Sequence, residues 1–249
     1  MTHSSNDNRA HSPTYDASYA KYCDHTVLRA YTRQSVVKAF CDEAIRYGLA
    51  SVCVNPVHVA FVRRQLQGTG VKTCTVIGFP LGANTPAVKA TETADAVRNG
   101  AEEVDMVMNV GALRDGNDEL VLEDIRGVVE AAASRALVKV IIETCYLTEA
   151  EKIRACELCI RAGADFVKTS TGFGTGGATA DDIRLIRRVV GNRMKIKAST
   201  GVDNREAARV MIEAGADRLG LSRSVQVIEG DDTLPSAATA NKPPAPAGT

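Results

Sequence analysis

Three times in this chain a helical stretch ends in the same joint: Gly100-Ala101-Glu102, Gly163-Ala164-Asp165 and Gly215-Ala216-Asp217. Each joint lies between a segment with apolar residues at helical spacing and a short apolar run. Glycine at such a place takes the left-handed conformation that ends a helix, after which the chain turns straight into a strand. A joint that recurs between strand–helix units implies parallel strands with helical crossovers. That restricts the chain to an α/β fold.

The rest of the sequence repeats the unit. Strand segments fall at 22–28, 51–54, 72–80, 103–110, 138–144, a short run ending near Lys168, 195–199 and 217–222. Helical segments alternate with them at 33–47, 58–66, 87–97, 119–133, 148–161, 180–190 and 205–213. In the first helix Val36, Val37, Phe40, Cys41, Ala44 and Ile45 keep helical spacing, and Gly48 stops it. Thr148 is an N-cap, and Glu151 completes a capping box. Eight strands alternating with helices in 249 residues predict a single (β/α)8 TIM barrel. An open doubly wound sheet is the alternative, but no G-x-G-x-x-G follows the first strand. The barrel is expected to span 19–227, after a flexible N-terminal arm, 1–18, and before a disordered tail, 228–249, whose Asp, Pro, Ala and Thr cannot build a core.

Composition excludes several classes of function. The 30 basic and 30 acidic residues balance, so there is no footprint for nucleic acid or an anionic membrane. No run approaches the ~18 apolar residues of a membrane-spanning helix, and residues 1–18 lack the apolar core of a signal peptide. The seven cysteines are scattered, as reduced thiols in a cytoplasmic protein would be. Cys156 and Cys159 form a C-x-x-C, but it lies mid-helix without a second pair and reads as buried helix positions. Of four histidines, His3 and His11 lie in the arm, which leaves only His25 and His58 in the body. With no imidazole or thiolate cluster of metal-ligand spacing, the chemistry is expected to need no metal and no cofactor.

In a barrel of this kind the site lies at the C-terminal ends of the strands. Polar residues late in the strands should therefore converge: Asp24, Thr26, Asp105, Asn109, Glu143, Lys168, Lys197 and Ser199. Lys168 closes an apolar strand and is followed by Thr169-Ser170-Thr171 and a glycine-rich loop, 172–177. A solvated rim lysine is one reading of it. With Lys197 one strand over, a reactive lysine explains the pattern better, because a neighbouring ammonium disfavours the charged form and frees the amine to form an imine. Asp105 suits a proton shuttle and equally an ion-pair partner of either lysine. Lys139 is the rival nucleophile, and it shares a strand face with Glu143, with which it could form an internal ion pair. Cys53, near the mouth, reads as a small buried apolar residue rather than a reactive thiol.

Taken together, residues 165–172, 103–107, 138–144, 76–82 and Asp24-His25-Thr26 resemble the deoxyribose-phosphate aldolases, and the likeness runs from about residue 19 to 227. The resemblance implies a class I aldolase that reversibly cleaves 2-deoxy-D-ribose 5-phosphate to D-glyceraldehyde 3-phosphate and acetaldehyde. By motif, Lys168 would be the Schiff-base lysine, Asp105 the proton shuttle and Lys197 the lysine that tunes Lys168. Asp24 and Thr26 would line the hydroxyl side of the sugar, Thr171 would be a further substrate-binding residue, and Gly172, Gly201, Gly220 and Ser222 would hold the phosphate. The partners implied are small-molecule phosphosugars and aldehydes, with the chain itself a homo-oligomer, dimer or tetramer.

The chain departs from the family's pattern at the phosphate end. Where the family commonly has two glycines and, two residues on, an arginine, this chain has Thr200-Gly201-Val202-Asp203. Where paired serines are usual it has Ser222-Arg223-Ser224, and Phe173 replaces a basic residue found in some members. Arg223 is either a compensating phosphate ligand or a solvent-facing arginine at a helix start. Two alternatives follow: a Schiff-base lyase for another phosphosugar or an unphosphorylated aldehyde, and a barrel that binds without catalysing. The second fits poorly with Asp105, Lys168 and Lys197 all being present.

Overall fold

The computed structural model describes residues 14–241. Eight parallel strands close into a barrel in sequence order, β1 pairing with β8. The first half runs β1 (Cys23–Val27), α1 (Gln34–Tyr47), β2 (Ser51–Val54), α2 (Val59–Leu66), β3 (Lys72–Ile77), α3 (Pro86–Arg98), β4 (Glu103–Val107), α4 (Val110–Arg114) and α5 (Asp118–Ala132). The second half runs β5 (Leu137–Ile141), α6 (Glu149–Ala162), β6 (Phe166–Lys168), α7 (Ala180–Val190), β7 (Lys195–Ser199), α8 (Arg205–Ala214), β8 (Arg218–Leu221), α9 (Ser224–Glu229) and α10 (Ala237–Ala240). The TIM barrel predicted from the alternation is the fold. Among the described residues no helix is long and apolar enough to cross a membrane.

The recurring joint does more than stop helices. Gly100, Gly163 and Gly215 all have positive φ, as expected of residues that end a helix. The acid that follows each one then reaches back to the preceding strand. Glu102 accepts from the backbone N–H of Thr73 on β3, Asp165 from Val138 on β5 and Asp217 from Ile196 on β7, at 3.2, 2.8 and 2.8 Å. The amide of the same acid donates to the carbonyl of the same strand residue. The motif thus ties neighbouring strands together in pairs, β3 with β4, β5 with β6 and β7 with β8, at the bottom of the barrel, the face that stabilises rather than reacts. Thr148 and Glu151 form the expected capping box.

The main apolar core lies between the strands and the helices, where Val104, Met106, Val140, Ile142, Ile183 and Ile186 are all fully buried. Strand residues of the other parity fill the barrel interior, and there the usual branched side chains are few. Cys53, Cys74 and Val76 form one small apolar cluster. Most of the rest is charge: Asp24, Glu103, Asp105, Lys139, Lys168 and Lys197 are all buried.

Three expectations need correction. Strands β3, β4 and β5 end earlier than expected, at Ile77, Val107 and Ile141. Asn109 instead caps α4 by accepting from the Ala112 amide, and Glu143 takes a left-handed conformation before a turn. The segment from 228 is not a disordered tail as far as Asn241. Ile228 and Glu229 are buried at the end of α9, the Gln226 amide donates to the Leu234 carbonyl, and the Ala237 amide donates to Glu43 on α1. Its small side chains build no core of their own; polar contacts to α1 and α9 hold it, and Ala237 joins the main core. Residues 1–13, most of the expected arm, and 242–249, the end of the expected tail, lie outside the described residues.

Candidate active site

Strand register brings the two lysines together. Lys168 on β6 pairs with Lys197 on β7, and Asp105 on β4 pairs with Lys139 on β5. All four are inward positions, so their side chains meet inside the closed barrel. Lys168 and Lys197 both donate to Oδ2 of Asp105, at 2.8 and 2.7 Å, while Lys139 donates to its Oδ1 at 2.9 Å. A second tier lies beside this one. Lys197 is 2.6 Å from Asp24, and Lys139 is 2.6 Å from Glu103. Arg218 at the start of β8 bridges Asp24 and Glu103, both at 2.8 Å. Four cations therefore face three carboxylates in a space almost closed to water.

These contacts override the ordinary effect of burial. Burial pushes the Asp105 carboxyl up, but the ammoniums of Lys139, Lys168 and Lys197 outweigh it and hold the group well below the usual carboxylate range. Asp24 is lowered in the same way, burial being outweighed by Lys197, Lys139 and Arg218. Burial alone would lower Lys197 and Lys139. The carboxylates around them raise both instead: Asp105 and Asp24 at Lys197, and Asp105, Glu103 and Asp24 at Lys139. The interior is thus a set of fixed charges.

Above the cluster opens a cavity of about 360 Å³ at the C-terminal ends of the strands, a size that suits a small metabolite. Lys168 is the lysine that lines it, with Thr26, Thr171, Gly172, Ser199, Gly201, Gly220 and Ser222 around it. Glu143 anchors one wall, accepting from the amide and the hydroxyl of Thr171. The glycine-rich loop packs closely there: a Cβ on Gly174 would sit 2.9 Å from the Cys145 sulfur, and one on Gly177 2.5 Å from the Thr200 carbonyl oxygen. These glycines serve close packing of the loop against the segments that follow β5 and β7 as well as its turn.

The sequence model of the DeoC/LacD family of aldolases matches residues 19–224. The chain belongs to that family. A deoxyribose-phosphate aldolase from a Geobacillus strain is 59% identical over 211 residues, 85% of this chain and 95% of the relative. Among solved structures, an aldolase described as QR15 superposes with a TM-score of 0.81 at 42% identity, covering 84% of this chain and 94% of its own. A tetrameric deoxyribose phosphate aldolase from Aeropyrum pernix superposes with a TM-score of 0.80 at 32% identity, covering 86% and 90%. As an aldolase the protein is a carbon–carbon lyase.

Not every residue expected in this aldolase's site reaches the cavity. Thr26 lines it, whereas Asp24, two residues earlier on the same face of β1, lies a layer deeper and is held by Ser51, Lys197 and Arg218. Arg223 does not line it either; its guanidinium donates to the Asp232 carbonyl at 2.6 Å. Lys139 and Glu143 form no ion pair, because Lys139 points down to Glu103 and Glu143 up to Thr171. Cys53 is fully buried, as expected, and so are Cys156 and Cys159 apart from a trace of exposure. The sequence reading passed over Glu103 and Arg218. The usable signal was a charge at an inward position at the start of an otherwise apolar strand.

One group has the composition of a metal site: single ligand atoms of Cys53, Cys74 and Asp105 lie within 4.8 Å of one another. It fits a cation poorly. Both Asp105 oxygens already accept from ammoniums, the Lys139 amine is 3.5 Å from the Cys74 sulfur, and burial pushes the Cys74 thiol well up, so it holds its proton.

Proposed function

We propose that this aldolase reversibly cleaves 2-deoxy-D-ribose 5-phosphate to D-glyceraldehyde 3-phosphate and acetaldehyde, through an imine on Lys168 and without a metal. The observation that carries the proposal is the position of Lys168. It is the lysine that lines the cavity, and its amine rests on the carboxylate oxygen that Lys197 also holds. The phosphorylated substrate is inferred from relatives such as the Geobacillus enzyme.

Lys168 differs from the other buried cations in its partners. With Lys139, Lys197 and Arg218 charged, the three carboxylates Asp24, Glu103 and Asp105 are already neutralised. Lys168 shares Asp105 with Lys139 and Lys197, has no carboxylate of its own, and is the lysine that lines the cavity. The free amine attacks the aldehyde carbon of the open-chain sugar, and loss of water leaves a protonated imine. The bond between the second and third carbons then breaks. Its electron pair flows into the imine, giving an enamine, while the hydroxyl on the third carbon loses its proton through a water to Asp105 and becomes the aldehyde of glyceraldehyde 3-phosphate. Forming the enamine removes one positive charge from beside Asp105, so the carboxylate becomes a better proton holder as the proton arrives. Return of that proton to the enamine carbon, followed by hydrolysis, releases acetaldehyde and restores the amine. Lys197 keeps its charge throughout and holds Asp105 in place.

The reaction belongs to the breakdown of deoxyribose from deoxynucleotides, and we place it in the cytoplasm, where seven free cysteines would persist. The chain is taken to act as a homo-oligomer, a dimer or tetramer, with the Aeropyrum relative's tetramer in support. Incubation with acetaldehyde and borohydride, followed by peptide mass spectrometry, should place a reduced two-carbon adduct on Lys168. An adduct elsewhere, or none, overturns the imine mechanism. An adduct on Lys168 without cleavage of deoxyribose 5-phosphate overturns the substrate and leaves a Schiff-base lyase for another aldehyde, the reading that Asp203 at the cavity wall favours.

A further inference from the structure

The charged side chains lining the cavity are Arg29, Lys168 and Asp203. If Lys168 takes the carbonyl, an anionic substrate meets one remaining cation, and it is not Arg223. Arg29 follows β1, and its guanidinium carbon lies 5.1 Å from the ring centre of Phe173 in the loop after β6. Phe173 in turn stands edge-on to Phe79, in the loop after β3, with centroids 5.3 Å apart. Three loops thus hold the guanidinium over the mouth on an aromatic support. A guanidinium resting on a ring keeps its in-plane N–H donors for a bidentate anion. Among the described residues no carboxylate lies within ion-pair distance of Arg29. The position that departs from the family's basic residue, Phe173, supplies the platform, and the charge comes from the opposite side of the barrel.

We infer that Arg29 is the side chain that receives the anionic end of the substrate, and that Asp203 opposes it from the loop after β7. The inference rests on the phosphorylated substrate proposed above. With this pairing the mouth carries one charge of each sign, so discrimination for a phosphate dianion hangs on a single exposed arginine. Arg29 and Asp203 are both exposed, so substitutions there spare the core.

The test measures cleavage of deoxyribose 5-phosphate and of deoxyribose by the full chain, and calorimetric binding of inorganic phosphate. Arg29→Met should lower kcat/KM for the phosphorylated sugar about tenfold or more, mainly through KM, and weaken phosphate binding alike. Deoxyribose cleavage should stay within about twofold, because that sugar makes no charge-assisted contact to lose. Arg29→Lys should retain part of the affinity, and Phe173→Leu should give an intermediate loss. Asp203→Asn should move the other way, improving phosphate binding a few-fold, on the order of one screened charge pair. Equal phosphate affinity in wild type and Arg29→Met, or equal losses for both sugars, overturns the assignment. If wild type binds phosphate through Arg29 yet does not cleave deoxyribose 5-phosphate, the proposed substrate is wrong and the role of Arg29 in holding an anion stands.

Discussion

Lys168 and Lys197 donate to the same carboxylate oxygen, Oδ2 of Asp105, at 2.8 and 2.7 Å. Two ammoniums on one oxygen repel each other, and the geometry holds because neighbouring parallel strands carry them in register. The arrangement keeps Lys197 charged between Asp105 and Asp24, while Lys168 has one carboxylate partner and faces the cavity. The difference in partners separates their roles.

Asp105→Asn should lower kcat by about 10² to 10⁴-fold, the usual contribution of a positioned proton shuttle. The variant keeps the side chain's shape but removes the negative charge on which three lysines rest. Steady-state cleavage assays check it, alongside circular dichroism to show that the barrel persists. A folded variant with kcat near wild type would remove Asp105 from the chemistry.

Lys139→Met should act chiefly on stability. Lys139 is fully buried, and its loss leaves Glu103 dependent on Arg218. Breaking a buried pair on one side costs about 3–5 kcal/mol. Denaturant titration should show that loss, and Lys139→Met with Glu103→Leu should recover part of it. Borohydride trapping should still label Lys168 in the single variant; if Lys139 is the nucleophile, the label disappears.

Stability should fall in acid below the range where free aspartates titrate. Asp24 and Asp105 have lowered values in the folded chain. An unfolded aspartate binds its proton near pH ~3.9, so their contribution is complete above that pH and is lost as pH falls toward the folded values. Lys139 and Lys197 are raised, so their contribution is complete below ~10.4 and is lost as pH rises beyond it. The stability difference between wild type and Asp105→Asn, from denaturant midpoints, should be flat between about pH 5 and 9 and shrink below about 4. A difference that collapses between pH 5 and 7 would contradict the charge arrangement.

Thr200→Gly should stabilise the chain. Thr200 has φ +69°, a left-handed conformation that β-branched residues rarely adopt and that costs of order 1–3 kcal/mol. Glycine removes that strain and returns some of the gain as unfolded-chain entropy. A net gain of about 1 kcal/mol corresponds to a melting point roughly 2–4 °C higher in a chain of this size. A lower melting point would mean that the threonine side chain contributes packing worth more than the strain.

Much of this protein was legible one segment at a time. Helix periodicity, the glycine joints and the capping box are local effects, so they could be read without knowing the fold. The parity of Asp105, Lys139, Lys168 and Lys197 within their strands is local too, and it placed them together inside a barrel. The tail from 228 was misread because its composition is poor in large apolar residues. Its order to Asn241 comes from hydrogen bonds to α1, α9 and Thr32 in the loop after β1, and from Ala237 joining the main core, which composition does not record.

The sequence by itself determined the alternation of strand and helix, the closed barrel that follows from it, and the lysine pair beside an aspartate. Only the tertiary structure decided which charge answers which. Arg218 on β8 reaches Glu103 on β4, and Lys197 on β7 reaches Asp24 on β1 and Asp105 on β4, contacts between strands that are not all neighbours in the sheet. Barrel closure sets these distances, and strand parity says only which side chains point inward. The same closure put Asp24 below the cavity and Arg223 outside it, and it brought Arg29 from the loop after β1 onto Phe173 in the loop after β6.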